Sequence, residues 1–370
     1  MASPAGSRAA GEEQAMATSA QGTEVRQEPF DASGAGAAIE RWTLRSGALE
    51  AGVLNLGATL HTLSAPDRDG TPAQLLLSTD ELPAVLGPAR HFGATVGRYA
   101  NRIAGSRITI DGEDHPLMPT GGGVTLHGGP DGFANRMWEA EEIPGGVRLR
   151  LHSPDGDQGF PGGLDVTVSY TLSPEALTIA YHAVTTRPTV VNLTNHAYVN
   201  LAGEGSGDVL GHLLTLNADH YTPVDDRQIP LGPYEPVAGT PFDFTTARPI
   251  GKGIHDDHPQ LRGPRGYDHN WVLRERPADG SPARAALLED PGSGRTLEVL
   301  TTEPGIQVYT ANHFAGTVSG ASGVPYRMYA GVALETQHHP DSPHQPSYPS
   351  TELRPGEEFR STTVLRPGLA

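Results

Sequence analysis

Residues 332–343, VALETQHHPDSP, place one acid, one amide and two adjacent histidines directly after an apolar run. Glu335 is the residue to explain, because an acid there is either a solvated strand end or a group held for chemistry. Three chemistries use such residues. His338, His339, Asp341 and His344 have the composition of a metal site, but adjacent strand residues point to opposite faces, the segment turns at Pro340 and no HExxH pattern occurs. No metal is therefore assigned. Two carboxylates flanking a bond would suit glycoside hydrolysis, with Asp268 as the second acid. A carboxylate and a histidine together suit proton transfer in both directions near neutral pH.

Other segments offer partners for Glu335. Strand side chains alternate between faces, so Asn192, Thr194, His196 and Tyr198 are expected on one face of VVNLTNHAYV, Gln307 and Tyr309 on one face of PGIQVYT, and Ala333, Glu335 and Gln337 on one face of GVALETQ. A solvated sheet face also produces polar rows. These rows, however, hold amides, aromatics and histidine in place of the usual Lys, Glu and Thr, and such groups suit hydrogen bonding to a polyhydroxylated ligand. In loops, VGRYANRIAG carries Arg98, Asn101 and Arg102, and the glycine-rich TGGGVTLHGGPDGF carries His127. A phosphate loop is not supported there, because no Lys-Ser/Thr ending and no strand-to-helix context accompany the glycines. GYDHNW reads as a tight turn holding Asp268 and His269, or as the site of an Asp that fixes a sugar hydroxyl.

The elements that must position these groups are strands. Apolar runs of four to ten residues, rich in Val, Thr, Tyr and Ile and bounded by Gly, Pro, Asp or Asn, recur from about residue 37 to the end. STDELPAVLG is expected to form at most a short helical turn, and ARAALLEDPG fits neither the helical nor the strand period. The fold class is thus all-β, a single large antiparallel β-sandwich over residues 25–370. Residues 1–24, which contain no Leu, Val, Ile or aromatic residue, are expected to form a disordered tail.

Composition narrows the partners. A formal net charge of −17 disfavours nucleic acid, since phosphate backbones are repelled. With no cysteine, thiol catalysis, thiolate metal sites and disulfides are excluded. Lys252 is the only lysine, and it sits in the turn-like PIGKGI. No run reaches membrane-spanning length, and the first 24 residues lack the apolar segment of a secretory signal, so a cytoplasmic protein without membrane contact is expected. No apolar seam is evident, which favours a monomer.

The segments GRYANRIAG, LHGGPDGF, DGDQGFPGGLDVTVSYTL, TVVNLTNHAYVNL, GTPFDF, GYDHNWVL, TTEPGIQVYTAN, LETQHHPDSP and LRPGEEF, in this order between about residues 36 and 366, resemble the galactose mutarotase family, also known as aldose 1-epimerases. The resemblance implies a galactose mutarotase-like supersandwich with an open sugar-binding cleft. It implies cofactor-free interconversion of the α and β anomers of free hexoses such as galactose and glucose. On the family pattern, Glu335 matches the general base and His196 the general acid. His127 matches a second cleft histidine, Arg102 with Asn101 beside it contacts substrate oxygens, Asp268 holds sugar hydroxyls, and Gln307 is a further cleft residue. Val199 stands where Phe is usual and Ala311 where Gly is common; neither change removes a polar group. The alternatives are a noncatalytic carbohydrate-binding protein on the same scaffold, a glycoside hydrolase using Asp268 and Glu335, and an epimerase for a phosphorylated aldose.

Overall fold

A computed structural model describes residues 22–30, 39–274 and 277–370. Most of the tail expected over residues 1–24 lies outside the described residues, and Glu24 opens the first described strand, Glu24–Pro29. Among the described residues the architecture is all-β and antiparallel, with two four-residue α-helices, Leu82–Val85 and Pro259–Arg262. The first of these lies inside the STDELPAVLG stretch. No described helix is long and apolar enough to cross a membrane.

Among the described residues, the largest sheet has nine strands. Its centre shows why the sequence pattern is easy to read. LDVTVSYTL, Leu164–Leu172, and LTIAYHAVT, Leu177–Thr185, alternate buried and more exposed residues along their whole length. They pair residue for residue, from Leu164 opposite Thr185 to Leu172 opposite Leu177, so both apolar rows fall on one face. The strand Phe359–Leu369 bridges Leu177–Thr185 and Arg295–Thr301, which joins early and late segments of the chain in one sheet.

The ambiguous ARAALLEDPG is a strand, Ala283–Glu289, in this sheet. Its register shifts between Arg284 and Ala286, and Ala285 and Ala286 are both buried. That bulge breaks the two-residue period, which explains why the sequence showed none.

A second sheet, of six strands among the described residues, carries Asp268, Gln307 and Glu335. Its order places Val332–Gln337, Gly305–Tyr309 and Asp268–Leu273 side by side. Asp268 therefore opens a strand rather than sitting in a tight turn. On one face of these strands Trp271, Ile306, Val308, Val332 and Leu334 join a continuous apolar core that also takes in Val166, Val168 and Ile179 from the nine-stranded sheet. Fully burying each such side chain is worth about 1.5–3 kcal/mol, so this face fixes which way every alternate residue points.

The opposite face is the polar one. Gln307 pairs with Glu335 on one side and with Asn270 on the other, and directly opposed residues share a face. Tyr309 likewise pairs with Asp268 and with Ala333, and Ala333 pairs with Tyr198. Segment 192–199 is not the single alternating strand its sequence suggests. It is broken into Thr194–Asn195 and Tyr198–Val199, with an isolated bridge at Asn192. Asn192 is fully buried, and its side chain donates to the carbonyls of Ala100 and His338 and accepts from the amide of His338. It ties three segments together and does not line the cleft floor.

Candidate active site

The strand Val332–Gln337 brings Glu335 to the polar face with 2 % of its surface exposed. His196 arrives from the gap between the two short strands. Its backbone is fixed there by two hydrogen bonds, one donated to the carbonyl of Ala94 and one accepted from Gly93. Its Nε2 lies 3.5 Å from Oε1 of Glu335.

Burial works on this pair in one direction. It pushes the Glu335 carboxyl well above its usual range, with Asp268 adding to the rise and Arg102 opposing it. It pulls the His196 imidazole down to about 4, against smaller opposing effects of its own backbone and Asp268. Burial thus favours the neutral pair, with the proton on Glu335, over the ion pair that acid–base chemistry starts from. A ligand whose hydroxyls donate to the carboxylate favours its ionised form and pushes the other way.

Three imidazoles meet at this point. The His127 ring lies 5.4 Å from His196 and 5.3 Å from His91, and His91 lies 6.3 Å from His196. Charge on His196 is disfavoured chiefly by burial, and His196 in turn disfavours charge on the other two. His91 is lowered to about 3, chiefly by burial and then by His196, and His127 falls well below its usual value from burial, His91, His196 and Arg102. His127 has a defined tautomer. The Asn101 amide donates to its Nδ1, so the proton of the neutral ring is on Nε2, a donor. In return the His127 amide donates to the Asn101 carbonyl.

Arg102 opens the strand Arg102–Ala104. Its backbone amide and its Nη1 both donate to Asn101 Oδ1, at 2.9 and 3.4 Å. Asp341, fully buried beyond the histidine pair, holds the strand from the other side. The Asp341 amide donates to the Arg102 carbonyl, and its carboxylate accepts from the Ala104 amide. The preceding loop is anchored by Arg98, a buried arginine. It donates to the carbonyls of Ser153, Pro154, Pro161 and Gly162 and to the Ser153 hydroxyl.

Asp268 completes the cluster. Its Oδ1 accepts from Gln307 Nε2 at 2.7 Å, and its Oδ2 stands 3.8 Å from Arg102 Nη2. All seven residues expected at a site, Asn101, Arg102, His127, His196, Asp268, Gln307 and Glu335, are linked by these contacts or by shared strand register. A cavity of about 500 Å³, within the ~300–1,000 Å³ usual for small-molecule sites, opens at one edge of the cluster against Arg102, His127 and His91, and His196, Asp268, Gln307 and Glu335 are not among its lining residues. Two residues of the cluster were not anticipated. His91 carries no local signal beyond being a histidine, and Gln228, which hydrogen-bonds both Arg102 and Asp268, is a neutral amide in the turn VDDRQIP.

The three closely spaced histidines have separate partners. His338 Nδ1 meets Glu303 Oε2 at 2.6 Å, His339 Nδ1 meets Asn270 Nδ2 at 2.8 Å, and His344 Nδ1 meets Asp341 Oδ1 at 2.7 Å. Among the described residues no group of three or more His, Cys, Asp or Glu is gathered as a metal site. What the cluster offers is an acid–base pair flanked by an arginine, an imidazole N–H, a carboxylate and amides, the groups that hydrogen-bond hydroxyls.

Comparison with known proteins agrees with this chemistry. Residues 40–366 match the family described as aldose 1-epimerase. The chain is 42% identical over 335 residues to the galactose mutarotase of Rattus norvegicus, covering 90% of this chain and 96% of that one. It is 42% identical over 326 residues to the aldose 1-epimerase of Escherichia coli, covering 87% and 93%. Among solved structures, galactose 1-epimerase from Lactobacillus acidophilus superimposes with a TM-score of 0.81 at 28% identity, over 94% of this chain and 99% of that one. An aldose epimerase homologue from C. elegans gives 0.80 at 32%, over 88% and 97%.

Proposed function

The chain belongs to the aldose 1-epimerase family, and from that footing we propose that Glu335 and His196 move the two protons of anomer interconversion on a free aldose held by Asn101, Arg102, His127, Asp268 and Gln307. The reaction is an isomerisation. One proton leaves the C1 hydroxyl and one reaches the ring oxygen, while the C1–O5 bond breaks and C1 becomes an aldehyde. Glu335 as carboxylate takes the first proton, and His196 as imidazolium gives the second. Rotation about C1–C2 turns the other carbonyl face to O5. On reclosure O5–H returns its proton to His196 and Glu335 returns its own to O1, so nothing is consumed. A positioned acid–base pair supplies roughly 10²–10⁴-fold.

Arg102 donates without titrating and its charge favours the ionised form of Glu335. The Nε2–H of His127 is a neutral donor to a sugar oxygen, and Asp268 accepts from sugar hydroxyls. The observation that carries the reading is the 3.5 Å approach of His196 Nε2 to Glu335 Oε1 on the polar face.

The finer reading is a cytoplasmic monomer acting on galactose or glucose. The names of the relatives support galactose, and glucose differs from it only at C4. Monomer status is supported by the few large apolar side chains exposed among the described residues, Leu86, Met118, Met137, Leu231, Val324 and Leu369. The test is polarimetry on freshly dissolved α-glucose and α-galactose. Equilibration faster than in buffer is expected, and no acceleration with any free aldose overturns the proposal. Size-exclusion chromatography checks the monomer.

A further inference from the structure

Gln228 stands outside the residues given roles above, yet its side-chain amide joins two of them. Its oxygen accepts from Arg102 Nη2, and its nitrogen donates to Asp268 Oδ2 at 2.5 Å. The loop that presents it is built for the purpose. Asp225 Oδ1 accepts from the amides of Arg227 and Ile229, the Asp225 amide donates to the Ile229 carbonyl, and the Gln228 amide donates to the Asp225 carbonyl. Val224 bridges to Pro230 across the loop base, and Gln260 holds Val224 through both its amide groups. Gln228 itself is held at φ 61°, a left-handed conformation uncommon for a residue with a side chain.

We propose that Gln228 is a positioning and specificity-determining residue, which holds Arg102 and Asp268 a fixed distance apart so that together they read the configuration of a sugar hydroxyl. The inference rests on the reading of Arg102 and Asp268 as sugar-holding groups. An arginine and a carboxylate left to themselves in a partly buried site close to about 2.7–2.9 Å in a forked contact. Here the nearest approach is 3.8 Å, with the side chains 15% and 12% exposed. The amide of Gln228 sits between them as a neutral spacer, satisfying one donor of the guanidinium and one lone pair of the carboxylate. Gln307 fixes the other carboxylate oxygen. Both groups keep spare capacity, since a carboxylate accepts about four hydrogen bonds and a guanidinium donates five. A hydroxyl is donor and acceptor at once. It bridges an arginine N–H and an aspartate oxygen only when those stand a hydroxyl apart, and a collapsed ion pair would leave no such place.

The test is steady-state anomerisation by Gln228→Met, which keeps the length and removes both hydrogen bonds, and by Gln228→Glu, which keeps an acceptor for Arg102 but sets a second carboxylate against Asp268. Both are assayed on glucose and galactose beside the wild type, with circular dichroism and thermal melting as checks of folding. The expected result is KM raised about 10-fold with kcat within about 2-fold, the pattern of lost binding common to ground and transition states. The ratio of kcat/KM between the two sugars should shift about 5-fold. A loop role alone would not move that ratio. If either folded variant keeps the wild-type KM and sugar ratio, or loses kcat equally on both sugars, the proposal is overturned. A wild type inactive on every free aldose removes the functional reading along with it, whereas an active wild type matched by its variants removes only this inference.

Discussion

Glu335 and Gln307 stand directly opposite each other on neighbouring antiparallel strands, and the register that pairs them is set from the far side of the sheet. There Ile306, Val308, Leu334 and Trp271 are locked into the core. A slip of one residue would turn Glu335 into that core and bring Thr336 to the polar face. The placement of the carboxylate is thus a consequence of apolar packing one residue to either side.

Glu335→Gln retains the volume of the side chain and removes its proton-accepting group. We expect kcat in the polarimetric assay to fall by about 10²–10⁴-fold. The fold should survive and gain stability at neutral pH. A buried acid with a raised native pKa binds its proton more tightly folded than unfolded, so its contribution is full below the ordinary carboxyl pKa and declines as pH rises toward the native value. Urea unfolding at pH 7.5 reads this directly. Wild-type rates in the variant would end the role of Glu335 as base.

His196→Asn removes the proposed proton donor and keeps a polar side chain. A large loss of kcat, on the order of 10²-fold or more, is expected with sugar binding partly kept. Isothermal titration with galactose alongside the kinetics separates the two effects. An unchanged kcat takes His196 out of the acid role.

Arg98→Met empties the anchor beneath the loop of Asn101 and Arg102, and five acceptors lose a charged donor. Burial already lowers the Arg98 guanidinium to about 10, so it is held by these bonds and not by solvent. Hydrogen bonds to charged groups contribute about 1.5–3 kcal/mol each, and re-solvation returns part of that. A net loss of about 3 kcal/mol is expected in urea unfolding. A loss under about 1 kcal/mol would show that the loop is held by other contacts.

The pH dependence of stability should be dominated by histidine. His196 and His269 are lowered to about 4 and His91 to about 3, all chiefly by burial. Below pH 6.5 the unfolded chain takes up protons that the folded one refuses, so stability is full above that pH and falls as pH drops toward 4. Each such residue adds up to about 1.4 kcal/mol per pH unit. Glu335 and His344, which Asp341 raises, oppose the trend, but burial lowers His127, His61 and His212 as well, so the lowered histidines outnumber them. The urea midpoint should therefore be lower at pH 5 than at pH 7.5, and equal midpoints would contradict this.

The sequence was most readable where one physical signal acted alone. Strands such as Leu164–Leu172 alternate cleanly because one face is core and the other is not. The strand Ala283–Glu289 hides behind its bulge, and the strand that Asp268 opens is masked because GYDHNW shows turn-like polarity and no period, although Asp268 itself stands out as a sugar-holding acid. Segment 192–199 shows the reverse failure, since regular alternation there conceals a chain broken to aim His196. Glu335, His196, His127, Arg102 and Asp268 were traceable because charged and imidazole groups within a family pattern stand out. Gln228 was not. Its importance comes from what a distant turn places it against, and an uncharged amide in a turn carries no mark of that.

Asn101, His127 and Gln228 share one feature, a backbone in the left-handed region at φ 63°, 54° and 61°. Such a conformation costs about 1–2 kcal/mol for residues with a side chain, and glycine escapes most of that penalty. Glycine would relieve that strain but would also strip out the hydrogen-bonded side chains that tie Arg102, His127 and Asp268 together, so the three kinks persist as the cost of the groups they present.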